Sequence, residues 1–372
     1  MKYCIKCILP NTRPNLELNS DGICSSCINS SKKKTNINWK NREIEFLKLT
    51  NKIKKQSYNY DCVIPVSGGK DSTWQVLTAL KYKMRPLCVT WRTPSRNKIG
   101  QENLNNLILL GVDHIDFTIN PEVEKYFILK SFKKYGSTLI PMHMAIHGIP
   151  SFIALKYNIP LVIQGENSAM EYGGNKKLSN LKNTNLNYLK KYGVTHETTS
   201  KDWFDRKLNK KNMLPYYWPS FQELKKKNIK TIFLGYYFKF DPKKSFKIAE
   251  KNGFKKIIKP KIGMYNFADI DDDFLITIHH WLKWYKFGFT RTWDNLSIEI
   301  RNNRLTREKA IKILKLKKDK KPIEEIKKFC KYLNISENHF KKIIEKFRNK
   351  KIWKKNKNSW QIKNFLIQDW KW

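Results

Sequence analysis

The sequence predicts a doubly wound parallel α/β sheet, preceded by a cysteine-bearing head and followed by a helical C-terminal region. Three observations predict it. From residue 61 short β-prone runs alternate with helical patterns of about ten residues, which implies parallel strands covered on both faces. The first such run ends in a glycine turn, SGGKDS, that leads straight into a helix. Two C-x₂-C pairs stand ahead of the sheet.

The elements follow in order. Residues 1–35 form the head, closed by the polar NSSKKKTN. Residues 36–180 form the α/β domain. Its first helical pattern runs from Trp39 to about Lys55, with Trp39, Ile44, Leu47 and Ile53 near helical spacing. The strand DCVIPV leads to a helix over Ser72 to Lys83, PLCVTW to one over Gln101 to Leu110, and DHIDFTI to one over Pro121 to Tyr135. The helical PSFIALKYN then precedes the strand PLVIQG. Residues 181–300 are a lid or substrate region, polar and aromatic at first, in which TIFLGYYFKF (231–240) reads as one more strand. Residues 301–372 are mainly helical: Pro322 opens IEEIKKFCKYL and Ser336 stands as N-cap of ENHFKKIIEKF.

The chain of 372 residues carries 74 Lys and Arg against 32 Asp and Glu, a formal charge of +42. Only 11 of the basic residues are Arg, and the lysines are scattered, which fits solvated faces better than a phosphate-reading patch. Nucleic acid is therefore not the expected partner, and the Ser336-capped helix lacks the Arg-rich face of a DNA reader. No apolar run approaches the roughly 18 residues of a membrane span, and MKYCIKCILPN lacks a secretory apolar stretch; a cytoplasmic location is expected. Cys62, Cys88 and Cys330 sit singly in apolar patterns and read as buried structural thiols.

The glycine turn carries the chemistry. Strand, turn and helix place the amides of Gly68, Gly69 and Lys70 at a helix N-terminus, where unpaired N–H groups and the helix dipole attract phosphate. Ser67 and Ser72 add hydroxyls and Lys70 adds charge. Asp71 can hold Mg²⁺ against phosphate oxygens. An ordinary P-loop is excluded, because Ile64 stands where Gly would be needed and Asp71 where a hydroxyl would. Thr90 and Trp91, at the end of the second strand, and Gly165, Glu166 and Asn167, after PLVIQ, lie where such sheets bind ligands.

In the head, Cys4, Cys7, Cys24 and Cys27 give two knuckles able to present four thiolates to structural Zn²⁺. His143, His279 and His280 lack a third ligand at metal spacing and read as packing residues. Arg291 and Asp294 lie in an aromatic stretch, able to grip an anion or to pair beside a core of Trp281, Trp284 and Phe287.

SGGKDS resembles the signature loop of the PP-loop ATP pyrophosphatases, which have a HUP-like α/β fold. The resemblance implies ATP and Mg²⁺ as cofactors, with Lys70 and Asp71 catalytic and Ser67 to Ser72, Thr90, Trp91 and Gly165 around ATP. CIKCILPNTRP, DGICSSC, QGENSAMEYGG, FLGYYFKFDPKKSF and the segment 279–310 resemble the N-acetyl sugar amidotransferases of bacterial surface-glycan biosynthesis. That resemblance implies adenylylation of an acetamido group on a sugar, nucleotide-linked or not, and displacement of AMP by ammonia to give an acetamidino sugar for lipopolysaccharide or flagellin glycans. Within those segments Glu166, Asn167, Glu171, Tyr172, Gly173 and Arg291 are the candidate substrate contacts, and Glu171 to Gly174 read equally as a turn. No glutaminase signature is present, so the implied partner is a separate glutaminase subunit with a cyclase-like companion. Trp293 departs from the family pattern next to Arg291. The alternative reading is a tRNA-modifying PP-loop thiolase, since those enzymes also carry C-x₂-C knuckles.

Overall fold

The computed structural model describes residues 1–174, 176–357 and 359–372. Its centre is a five-stranded sheet of β1 (Cys62–Pro65), β2 (Pro86–Trp91), β3 (Asp113–Phe117), β4 (Leu161–Gln164) and β5 (Lys230–Phe233), in the order β3-β2-β1-β4-β5. Every neighbouring pair is parallel. The strands read as apolar runs because both faces are covered. Val63, Leu87, Val89 and Val162 join one core with Phe127 and Ile149. Cys62, Ile64, Cys88, Leu161 and Ile163 join the other with Phe46 and Val76. The order runs outward from β1 to β3 and then reverses to β4, so the switch in direction falls between β1 and β4. Their carboxyl ends flank the crevice where open α/β sheets hold ligands.

Four details differ from the sequence reading. TIFLGYYFKF is a strand only to Phe233; the helix Leu234–Tyr237 follows, its turn fixed by Gly235 N–H donating to Gly165 O at 3.0 Å. The Trp39–Gln56 helix buries Phe46, Thr50 and Ile53, whereas Ile44 and Leu47 are exposed. The helix after β3 and its loop is followed by one over Ile140–Tyr157, ten residues longer at its start than the pattern shows, with Pro150 inside it. The C-terminal region ends in an antiparallel hairpin, β6 (Trp353–Asn356) with β7 (Ser359–Ile362).

The head packs on the end of the 181–300 region and on the C-terminal region: Cys4, Cys7, Ile8 and Leu9 share a core with Phe289, Trp293, Leu296 and Leu314. Cys330 is buried in a further core with Phe132, Phe329 and Phe340. Ser336 accepts from His339 N at 3.1 Å as the cap of its helix. Among the described residues no helix is long and apolar enough to cross a membrane.

Candidate active site

The helix after the glycine loop begins at Lys70, with Gly69 as its N-cap, so Lys70 and Asp71 lie in the first turn. Their amides, and that of Ser72, have no intrahelical acceptor. Gly68 has φ +81°, and a Cβ there would meet the backbone of Asn103 and Leu104 within 2.9 Å. The glycine lets the loop pass against the Lys98–Ile108 helix. Ser72 Oγ donates to Gly69 O at 2.9 Å, and Gly69 N–H donates to Ser67 Oγ at 3.3 Å, which closes the loop on itself.

This loop opens into a cavity of about 430 Å³. Ser67, Gly69, Lys70, Asp71 and Ser72 line it, as do Thr90, Trp91, Gly165, Glu166, Tyr172 and Arg291. The fold thus brings together residues from the ends of β1, β2 and β4 and from a helix more than a hundred residues further on. Gly68 stays behind the lining. Asn167 faces away: its amide donates to Leu178 O at 3.0 Å and its oxygen caps Ala169 N at 2.9 Å. Glu171 pairs with Lys33, and Gly173 packs on Leu16, Ser25 and Ser26 of the head segment. None of these three lines the cavity; Glu171 and Gly173 meet the head instead.

Lys70 Nζ lies 2.5 Å from Asp71 Oδ2, while Asp71 Oδ1 is buried with no partner among the described residues. Burial, with Asp71 as a charged neighbour, pushes the Glu166 carboxyl up. Thr90 Oγ1 donates to Val66 O at 2.7 Å and meets His114 Nε2 at 2.8 Å, so its hydroxyl is already engaged. Trp91 Nε1 donates to Glu124 at 2.7 Å, leaving the ring to the cavity. A Cβ at Gly165 would lie 2.9 Å from Gln75 Nε2, the movable end of that side chain.

Arg291 and Asp294 do not pair with each other. Arg291 Nε binds Asp269 at 2.9 Å, and Asp294 is buried between Arg13 and Lys283, each at 3.0 Å. Burial would raise the Asp269 carboxyl, but Arg291 and His280 beside it hold it well below the usual range. His280 is buried, and its burial, with Lys283 near, lowers it to about 4. His143 is likewise lowered to about 3 by burial.

The sequence pattern does not flag Gln75, Asp269, Asp271 or Asp272, all of which line the cavity. Asp271 accepts from Ser67 of the loop, and burial, with Asp272 beside it, pushes it up to about 6. Asp272 binds the hydroxyls of Ser95 and Thr93 and caps the Leu275–Phe287 helix through Phe274 and Ile276 amides. One signal was available: DIDDD is a dense acidic run in a strongly basic chain.

The four head thiols fit a metal. Their Sγ atoms all lie within 4.8 Å of one another, with Cys7 to Cys24 at 3.6 Å and Cys4 to Cys27 at 4.0 Å. Zn–S bonds of about 2.3 Å in a tetrahedron require sulfurs about 3.8 Å apart. The amides of Cys7 and Cys24 donate to Cys4 Sγ, as expected around a thiolate.

Comparison with known proteins finds three similarities. Residues 261–366 match the family model described as LPS biosynthesis protein WbpG-like, C-terminal domain. That stretch carries Tyr265, Phe267, Asp269, Asp271 and Arg291 of the cavity wall. An uncharacterized protein of Methanocaldococcus jannaschii is 29% identical over 125 residues, 31% of this chain and 44% of that protein. The match thus spans less than half of the relative's length. The solved structure of NMN synthetase from Francisella tularensis aligns with 60% of this chain and 99% of its own at 15% identity, with a TM-score of 0.28.

Proposed function

We propose that the chain is an ATP-dependent amidotransferase that converts an acetamido group of a sugar into an acetamidino group. One observation carries the reading. The loop 67–72 and the segment matching the LPS biosynthesis model wall the same cavity, which supports a reading in which a nucleotide and a saccharide meet there.

In this reading the free amides of Lys70, Asp71 and Ser72 and the Lys70 ammonium hold the outer phosphates of ATP. Those donors take up charge as pyrophosphate departs, without reorganising. The acetamido oxygen attacks the α-phosphorus, forming an O–P bond while the P–O bond to pyrophosphate breaks. The amide carbon then carries AMP, a good leaving group. Ammonia adds to that carbon, AMP leaves with the former amide oxygen, and a proton is released. Glu166, whose carboxyl is raised by burial, stands where it can take that proton. Arg291, Tyr172 and the Trp91 ring are the residues of the wall available to the sugar.

The unpartnered Asp71 Oδ1 and the Asp271 carboxylate beside Ser67 are hard oxygen donors of the kind Mg²⁺ takes, and Mg²⁺ would screen phosphate charge in this acidic cavity. Zinc in the head would be structural. Ammonia is supplied by a separate glutaminase subunit with a cyclase-like companion.

The test is incubation with ATP, an ammonium salt and a panel of N-acetylated sugars and nucleotide sugars. Release of AMP and pyrophosphate, and a product in which NH replaces O, is expected. Release of ADP rules the scheme out, and AMP release that needs tRNA and a sulfur donor assigns the chain to the thiolases instead.

A further inference from the structure

The segment that closes the nucleotide cavity also builds a second one. Beyond the Arg291–Arg301 helix lies a cavity of about 400 Å³ walled by Trp281, Trp284, Trp293, Trp360, Trp370 and Trp372. The helix serves both. Arg291, Asn295 and Ile298, four and three residues apart, share the face toward the loop, and Trp293 falls on the other.

Two properties of this wall point to a ligand. Trp281 and Trp293 are 6% and 3% exposed, yet neither indole N–H is a buried donor without a partner, and neither makes a hydrogen bond among the described residues, so each opens to solvent. An indole N–H held that way at the edge of an apolar wall is available to an incoming acceptor. The cavity is also cationic. Lys318, Lys321 and Lys371 stand at its exposed rim, and Arg348 lies over the rings of Tyr285, Trp353 and Trp360 at 4.2, 5.0 and 4.9 Å. Asp319, the one carboxylate of the wall among the described residues, is held by the hydroxyls of Thr290 and Thr292.

Flat rings suit the C–H faces of a pyranose, indole N–H groups suit its hydroxyls, and lysines suit an acidic substituent. We propose that this cavity is a second ligand site, for a carbohydrate bearing a carboxylate or phosphate, separate from the nucleotide cavity. A membrane surface fits less well. The rings line a concavity, and Trp372 alone among them is exposed, at 40%.

Glucuronate, glucose 6-phosphate and glucose, which share a ring and differ in charge, are the probes, followed by tryptophan fluorescence and saturation-transfer NMR on the full chain. Saturable binding of the two acidic sugars is expected, at least about fivefold tighter than glucose and weakened as salt rises to about 0.5 M. Trp370→Ala and the exposed double change Lys318→Glu with Lys371→Glu should each weaken it by about fivefold or more, while circular dichroism shows the fold retained. Gly69→Val in the nucleotide loop should leave it unchanged. The proposal is overturned by absence of saturation, by glucose binding equally well, or by indifference to the rim variants. Loss of binding in Gly69→Val also overturns it, because it would place the sugar in the nucleotide cavity. Flotation with phosphatidylglycerol vesicles, abolished by the rim variants, would assign the surface to lipid and overturn it too.

Discussion

Gly68→Ala probes the loop where its conformation is most constrained. With φ at +81°, an alanine costs about 1–2 kcal/mol for left-handed backbone. Its Cβ would also stand 2.5 Å from Leu104 N and 2.8 Å from Leu104 Cα, atoms of a helix backbone that cannot rotate aside. Overpacking of that kind adds about 1–3 kcal/mol. The sum, about 2–5 kcal/mol, lowers Tm by on the order of 3–6 °C in a chain of this length. Relief of the overlap pushes the loop away from the Lys98–Ile108 helix and into the cavity it lines, and a misplacement of about 1 Å is worth about 100-fold in rate. Gly69→Ala is the matched control. Its φ of −70° is ordinary, and the nearest atom to its Cβ is the rotatable Ser67 Oγ at 3.1 Å, so the cost stays under about 1 kcal/mol. The assay is a thermal melt of the three proteins followed by AMP formation well below the lowest melt. A Gly68→Ala protein that melts with the parent and forms AMP as fast would refute the assignment of the loop's geometry to this contact.

Asp71→Asn keeps the shape but removes a charge from the unpartnered oxygen; AMP formation should fall about 100- to 1000-fold, with nucleotide binding in EDTA retained. An unchanged Mg²⁺ dependence in that variant would show that Asp71 holds no metal. Plasma mass spectrometry of the purified chain should find one zinc per chain, lost in Cys24→Ser together with several degrees of Tm, because the head shares a core with Phe289 and Leu296. A protein that melts at the same temperature without its zinc would remove the metal from the fold. Glu124, 3% exposed, is pushed up to about 8 by burial, so the folded state binds the proton more tightly than the unfolded one. Stability is then lost as pH rises between about 4.5 and 8, by an amount on the order of a few kcal/mol. Glu124→Gln keeps an acceptor for Trp91 and should match the parent at pH about 5 but melt higher at pH about 8.5; a constant difference across that range would contradict the burial argument.

What the sequence revealed follows the range of its interactions. SGGKDS was legible because strand, turn and helix are contiguous, and the alternation of β1 to β4 because burial on both faces leaves continuous apolar runs. The Cys knuckles were legible from spacing alone. The misreadings are places where tertiary packing chose among local options. Leu234–Tyr237 is apolar and aromatic like a strand, but Gly235 must approach Gly165, and the chain turns there instead. Ile44 and Leu47 fit a helical stripe as well as Phe46 and Thr50 do, and it is the packing of Phe46 on Tyr82, Tyr237 and Phe238 that decides which stripe is buried. Asn167 stood at the right end of β4 for a ligand, yet the segment after it needed a cap and took its side chain.

The acidic run at 269–272 joins the loop across some two hundred residues of sequence, so no local pattern could connect Asp271 with Ser67. Its chemistry nevertheless agrees with the loop's. The helix N-terminus at Lys70 supplies partial positive charge and Lys70 a full one, yet Asp71, Glu166, Asp269 and Asp271 line the same cavity. Arg291 offsets Asp269 at 2.9 Å, and Lys70 offsets Asp71 at 2.5 Å. Glu166 and Asp271 are left with burial and neighbouring carboxylates, which is why both are raised. A triphosphate entering alone would meet those carboxylates as like charges; entering with a divalent cation, it meets them as ligands or as bases. The +42 of the whole chain does not alter this, because its lysines are spread through solvated runs, and at a Debye length of about 8 Å the local carboxylates decide what the cavity accepts.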